Sequence, residues 1–175
     1  LRALLHWWGA EAFVSLEGPL ALGMPVEFPQ LTVIHDLNFE HHPEWLPSRW
    51  ARYYRTQFPR FAAKAHRLVT VSDASALDLV ATYGLPRKDI SVVPNAAART
   101  FTPLEDFAAA EVRQRLTGGE RYFVFVGSLH PRKNIEGLQK AFGRYVSQGG
   151  LRHLVIVGAA MWDELHMDVE SSIRK

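Results

Sequence analysis

Arg132 and Lys133 stand side by side where a helix is expected to begin, after a strand and a short turn, YFVFVGSLHPRKN from Tyr122 to Asn134. Two adjacent cations at such a junction suit one kind of chemistry, the binding of a phosphate. Free amides at a helix start favour an anion, and an arginine and a lysine add full positive charge at the same point. Cations there oppose the helix dipole, so an anionic ligand is the natural compensation. Gly127 and Ser128 supply the amides of the turn. The plainer alternative is two solvated surface residues, since one glycine before a turn is a weak motif.

The elements that must position this turn are legible around it. Tyr122 to Val126 is an apolar run without polar alternation, which predicts a parallel strand covered on both faces. Apolar residues at Ile135, Leu138, Phe142 and Tyr145 keep helical spacing, and Gly149-Gly150 stop the helix. His153 to Gly158, HLVIVG, reads as the next buried strand. A strand-turn-helix-strand unit places the turn at the carboxyl edge of a parallel sheet, where ligands of open α/β folds bind.

A second candidate lies at another strand end. Leu31 to Ile34 is a short buried strand that delivers His35 and Asp36 to its carboxyl edge. The alternative is a hydrogen-bonded core histidine whose tautomer Asp36 fixes. His41 and His42, with Glu44, form a poor metal set, because adjacent side chains share neither a strand face nor a helix face. Ser48 to His66 interleaves arginines with Trp50, Tyr53, Tyr54, Phe58 and Phe61, which predicts a helix capped by Ser48 and disturbed near Pro59. Such a helix either packs its aromatic side into a core or lies on an anionic membrane or lipid-diphosphate acceptor.

The remaining chain supplies alternating strands and helices. Ala12 to Ser15 reads as a short strand, followed by a proline-punctuated loop from Gly18 to Pro29. Leu68 to Val71 is a strand, Ser72-Asp73 cap a helix from Ala74 to Tyr83 that Gly84 and Pro86 terminate, and Ile90 to Val93 is a strand. Residues 96–104 read as a linker, Leu104 to Leu116 as a helix, and Trp162 to Arg174 as another. The fold class is α/β, in two Rossmann-like parts, residues 1–95 and 105–175.

VGSLHPRKN followed by a helix and LVIVG resembles the donor domain of the retaining group 1 (family 4) glycosyltransferases. VIHDLNFEHHPEWLP, VTVSDASALDL and ISVVPNAAARTFTP agree with that family in the same order, closest to mannosyltransferase-like members of bacterial surface-polysaccharide assembly. The resemblance implies a GT-B architecture, with an acceptor-side first domain, a donor-side second domain and an active site in the cleft between them. It implies transfer of a sugar from a nucleoside diphosphate sugar to a saccharide or lipid-linked acceptor, with retention and without a bound metal or cofactor. His35 and Asp36 then line the catalytic cleft. Gly127, Ser128, Arg132 and Lys133 hold the donor diphosphate, and Gly158 lets the nucleoside approach. The family's N-terminal strand and glycine-rich loop, and its later donor-holding glutamates, have no counterpart here. The expectation is therefore an internal piece that alone transfers no sugar, with open sheet edges that could pair with another copy. A nucleotide-sugar epimerase and a non-catalytic sugar-nucleotide binder are the alternatives.

Composition narrows the classes. The 175 residues are 47% hydrophobic, enough for a sizeable core. There is no cysteine, hence no disulfide framework and no thiol chemistry. A net charge of +2, from 20 basic and 18 acidic residues, is too balanced to suggest nucleic acid. No apolar run approaches a membrane span, so the expectation is a cytoplasmic protein with at most peripheral membrane contact.

Overall fold

The computed structural model describes residues 2–25 and 27–159. The helix expected at Trp162 to Arg174 lies outside them. The chain divides into two units, Leu1–Ala97 and Ala98–Lys175, both α/β with parallel sheets.

In the first unit, a short helix α1 (Arg2–Trp7) precedes β1 (Phe13–Ser15), β2 (Gln30–Val33), α2 (Asn38–His41), α3 (Ser48–Lys64), β3 (Arg67–Thr70), α4 (Asp73–Tyr83) and β4 (Ile90–Val92). The strands form one parallel sheet in the order β1-β2-β3-β4. Alternation along the strands sends Thr32, Ile34, Leu68 and Ile90 to one face, where Phe58 and Phe61 of α3 and Ala76 and Leu79 of α4 complete the core. Burying each large side chain there is worth about 1.5–3 kcal/mol. The opposite face carries the exposed Val14 and Val93.

The loop between β1 and β2 is tied to the core by buried polar contacts. The Thr32 hydroxyl donates to the Gly18 carbonyl at 2.7 Å, and the Gln30 amide clamps Ala21 through both its backbone groups. Gly18 has φ +94° and sits against the Phe58 ring, so a Cβ there would be both strained and obstructed.

Two expectations for α3 need correction. Ser48 is its first residue rather than its cap: Pro47 occupies the cap position, and no side chain caps the end. The helix also runs unbroken through Pro59. Proline costs roughly 3 kcal/mol inside a helix, and burial of Phe58 and Phe61 on either side offsets it. The aromatic side of α3 is mainly core, whereas Arg49, Arg52, Arg55 and Arg60 are exposed. The caps of α4 fall as predicted: Ser72 Oγ accepts from the Ser75 N–H, and Gly84 ends the helix in the left-handed conformation.

Three helices meet at Glu40. Its side chain, 14% exposed, accepts from Arg55 Nε at 3.1 Å and from the Tyr83 hydroxyl at 3.0 Å. Burial, followed by the bond to Glu40, pushes the Tyr83 phenol well above its ordinary range. Tyr83→Phe is expected to cost about 1.5–3 kcal/mol, the worth of a hydrogen bond to a charged acceptor. Because the folded phenol titrates above the unfolded one, its contribution is complete below about pH 10 and is lost as pH rises further. Thermal unfolding between neutral and alkaline pH should therefore show an alkaline loss in the parent that is smaller in Tyr83→Phe; identical profiles would contradict this role.

The second unit holds α5 (Asp106–Thr117), β5 (Tyr122–Val126), α6 (Ile135–Ser147) and β6 (His153–Val157). β5 and β6 pair in parallel with Tyr122 opposite His153 and Val126 opposite Val157. Tyr145 of α6 packs edge-on against Phe123. The expectation of strands covered on both faces is not met among the described residues: Val124 and Val126, on the face away from Phe123, are 57% and 73% exposed. In this two-stranded sheet α6 supplies one layer, and the alternate residues of β5 face outward.

No helix among the described residues is long and apolar enough to cross a membrane.

Candidate functional site

The carboxyl end of β2 delivers His35 and Asp36, as the sequence suggested. His35 is half-buried, and its Nε2 lies 2.9 Å from the Leu16 carbonyl. A carbonyl only accepts, so Nε2 carries a proton, and in the neutral ring Nδ1 keeps its lone pair. Asp36 does not set this tautomer. Its Oδ1 accepts the Asn38 N–H at 3.1 Å and shapes the turn into α2, with the carboxylate exposed. The neighbouring histidines have separate partners: His41 meets Asp78, while His42 meets Glu44 and stacks on Trp45 with ring centroids 3.9 Å apart.

In the second unit the turn after β5 is held by the sheet itself. The Gly127 N–H donates to the Val157 carbonyl and the Leu129 N–H to the Ala159 carbonyl, both at 2.9 Å, so the turn continues the β5-β6 pairing. This revises the expectation for Gly127, whose amide is consumed by the sheet. The Ser128 amide has no partner among the described residues. Gly158 lies so close to the Gly127 carbonyl that a Cβ would collide with it. Contact between the two strand ends is thus a second reason for glycine there, beside any ligand.

The cations are presented differently from the sequence picture. Arg132 and Lys133 lie in a 3-10 turn, Pro131–Lys133, one residue before the cap of α6. His130, 5% exposed, organises this turn: its Nδ1 accepts the Arg132 N–H at 3.3 Å, and its carbonyl accepts the Lys133 N–H at 2.8 Å. Asn134 then caps α6 through Oδ1 to the Gly137 N–H. The fully buried Ile135 anchors the first turn of the helix. The Arg132 and Lys133 side chains are exposed and make no ion pair or hydrogen bond among the described residues. A hydrogen-bonded backbone therefore presents two uncompensated cations at the carboxyl edge of a parallel sheet, the electrostatic requirement for holding a diphosphate.

His130 and Asn134 were missed in the sequence. A histidine two residues before an N–H it can cap, and an asparagine three residues before a glycine, are signals that could have found them.

The family model for Glycosyltransferase Family 4 matches residues 4–98, more than half of the chain. The chain belongs to glycosyltransferase family 4. It is also similar to the O-antigen chain mannosyltransferase B of Escherichia coli, with 25% identity over 136 residues. That match takes in 77% of this chain and 36% of the relative, so this family 4 chain spans about a third of the length of the curated relative. The matched residues 4–98 include His35 and Asp36 and fall almost wholly within the first unit.

Proposed function

We propose that the protein carrying this chain is a retaining glycosyltransferase of GT-B architecture. It moves a hexose, mannose being the best-supported choice, from a nucleoside diphosphate sugar to an acceptor hydroxyl in surface-polysaccharide synthesis. The observation that carries this is the pair of uncompensated cations, Arg132 and Lys133, on a backbone braced by His130 at a parallel strand's carboxyl edge. Family membership and the mannosyltransferase name of the relative support the reaction class and the sugar.

The chemistry divides between the units. The first supplies His35, with Nε2–H pinned and Nδ1 open to accept from a sugar or acceptor hydroxyl. In the second, Arg132, Lys133 and the Ser128 amide stabilise charge as it develops on the departing diphosphate. The sugar C1–O bond to phosphate breaks, a C1–O bond to the acceptor forms on the same face, and the acceptor proton passes to the departing phosphate oxygen. No carboxylate nucleophile is required. The setting is the cytoplasmic side of the membrane, where the exposed Arg49, Arg52 and Arg60 of α3 would meet an anionic surface or a lipid-linked acceptor.

Incubating the intact protein with labelled nucleoside diphosphate sugars and a saccharide acceptor should yield labelled product with retained anomeric configuration. His35→Ala should lower turnover about tenfold, the worth of roughly one hydrogen bond, and should lower turnover more than stability, which loses only the contact with the Leu16 carbonyl. A histidine that merely packs would give the opposite pattern, a lowered unfolding temperature with unchanged specific activity. Isomerised sugar nucleotide in place of transfer would show an epimerase.

A further inference from the structure

Three arginines of the second unit, Arg113, Arg121 and Arg152, line a single cavity of about 370 Å³ that contains no acidic residue. Arg121 immediately precedes β5 and Arg152 immediately precedes β6. The parallel register, with Tyr122 opposite His153 and the His153 N–H donating to the Arg121 carbonyl, holds these two residues together at the amino edge of the sheet. Arg113 enters from α5 and is half-buried. Leu104, Ala109 and Val112 give the cavity an apolar wall.

None of the three guanidinium groups forms an ion pair among the described residues. Glu120, next to Arg121, is exposed and likewise makes none. Arg152 is instead steadied 5.3 Å over the Phe123 ring, which positions the cation without neutralising it. The dipole of α5 can favour Arg113 near the end of that helix. It does not account for Arg121 and Arg152, which begin strands. Like charges gathered in a cavity repel one another unless an anion joins them. Guanidinium forks match phosphate oxygens in bidentate geometry, and the volume suits a small ligand.

We propose that this cavity is a second anion site, taking a small molecule that bears a diphosphate or phosphomonoester against its arginines and a carbon skeleton against its apolar wall. It is separate from the cationic turn, which follows β5 at the opposite edge of the same sheet. Five residues of strand at about 3.3 Å each put roughly 16 Å between the two. One diphosphate cannot occupy both.

The test uses the intact protein carrying Arg132→Ala and Lys133→Ala, so that the turn no longer competes, with inorganic pyrophosphate as the calorimetric probe. One-site saturable binding should persist, weaken at least about tenfold on adding either Arg113→Gln or Arg152→Gln, and fade with rising salt. Without pyrophosphate, Arg113→Gln should leave the unfolding temperature unchanged or raise it, because repulsion is relieved, and Arg152→Gln should lower it by no more than the loss of its contact with Phe123. Pyrophosphate should raise it only when the arginines are present. Absence of binding, or binding indifferent to the arginines, overturns the proposal. So does an equal loss of stability with and without pyrophosphate, which would make the cluster structural. Arginine-dependent capture of phosphatidic acid vesicles without pyrophosphate binding would overturn the small-molecule assignment and give the site to a lipid headgroup. All these outcomes are read in the absence of the donor turn, so they stand apart from the success or failure of sugar transfer.

Discussion

Lys133→Ala in the intact protein is expected to lower turnover at least about a hundredfold while leaving the unfolding temperature within a degree or two of the parent. The two halves of this expectation come from different atoms. The Lys133 side chain is exposed and makes no bond among the described residues, so its removal breaks nothing in the fold. Its backbone N–H, which donates to the His130 carbonyl, is kept by alanine. What disappears is a cation beside the departing diphosphate, and losing one such donor to developing charge costs about two to three orders of magnitude in rate. Arg132→Ala should behave alike, and Lys133→Arg should recover part of the activity by restoring charge with altered geometry. Steady-state kinetics on the folded fraction measure this directly. Unchanged turnover in Lys133→Ala would remove the cationic turn from the donor site.

How far the site was legible depended on whether its determinants were local in sequence. The strand at Tyr122 to Val126, the helix from Ile135 and the strand from His153 follow from apolar runs and helical spacing, and each was placed to within a residue or two. Ser72 and Gly84 were equally readable, because a cap acts within one turn of its own position. The tautomer of His35 was not readable. It is fixed by the carbonyl of Leu16, which reaches His35 only because β1 and β2 pair in parallel. The fate of the Gly127 amide was hidden for the same reason, since its acceptor is Val157 on the next strand. Pro59 shows a third limit: local propensity favoured a break, and packing of Phe58 and Phe61 in the core overrode it. The exposed face of β5 reflects yet another, since a continuous apolar run says that a strand can be covered on both faces, and the layers around it decide whether it is.

Gly158→Ala should damage the same turn by a different route, and the difference identifies what the glycine is for. The added Cβ would meet the carbonyl carbon and oxygen of Gly127, which are backbone atoms and cannot swing aside as a side chain can. Relief requires the ends of β5 and β6 to part. That motion stretches the Gly127 to Val157 and Leu129 to Ala159 hydrogen bonds, both 2.9 Å, which set the course of the chain toward His130 and the cations. Overpacking of this kind costs about 1–3 kcal/mol, and in a domain of this size each kcal/mol lowers the unfolding temperature by about 4–8 °C. The expected result is a loss of several degrees without any ligand, together with donor binding weakened at least about tenfold as Arg132 and Lys133 leave their positions. Lys133→Ala, by contrast, should lose turnover and keep its stability. If Gly158→Ala keeps the parent's unfolding temperature and loses only donor affinity, the strand ends tolerate the methyl group and the glycine serves the close approach of a nucleoside. If it loses stability while the remaining folded protein binds donor as tightly as the parent, the glycine is a packing residue and the cations do not depend on the sheet pairing to hold them in place.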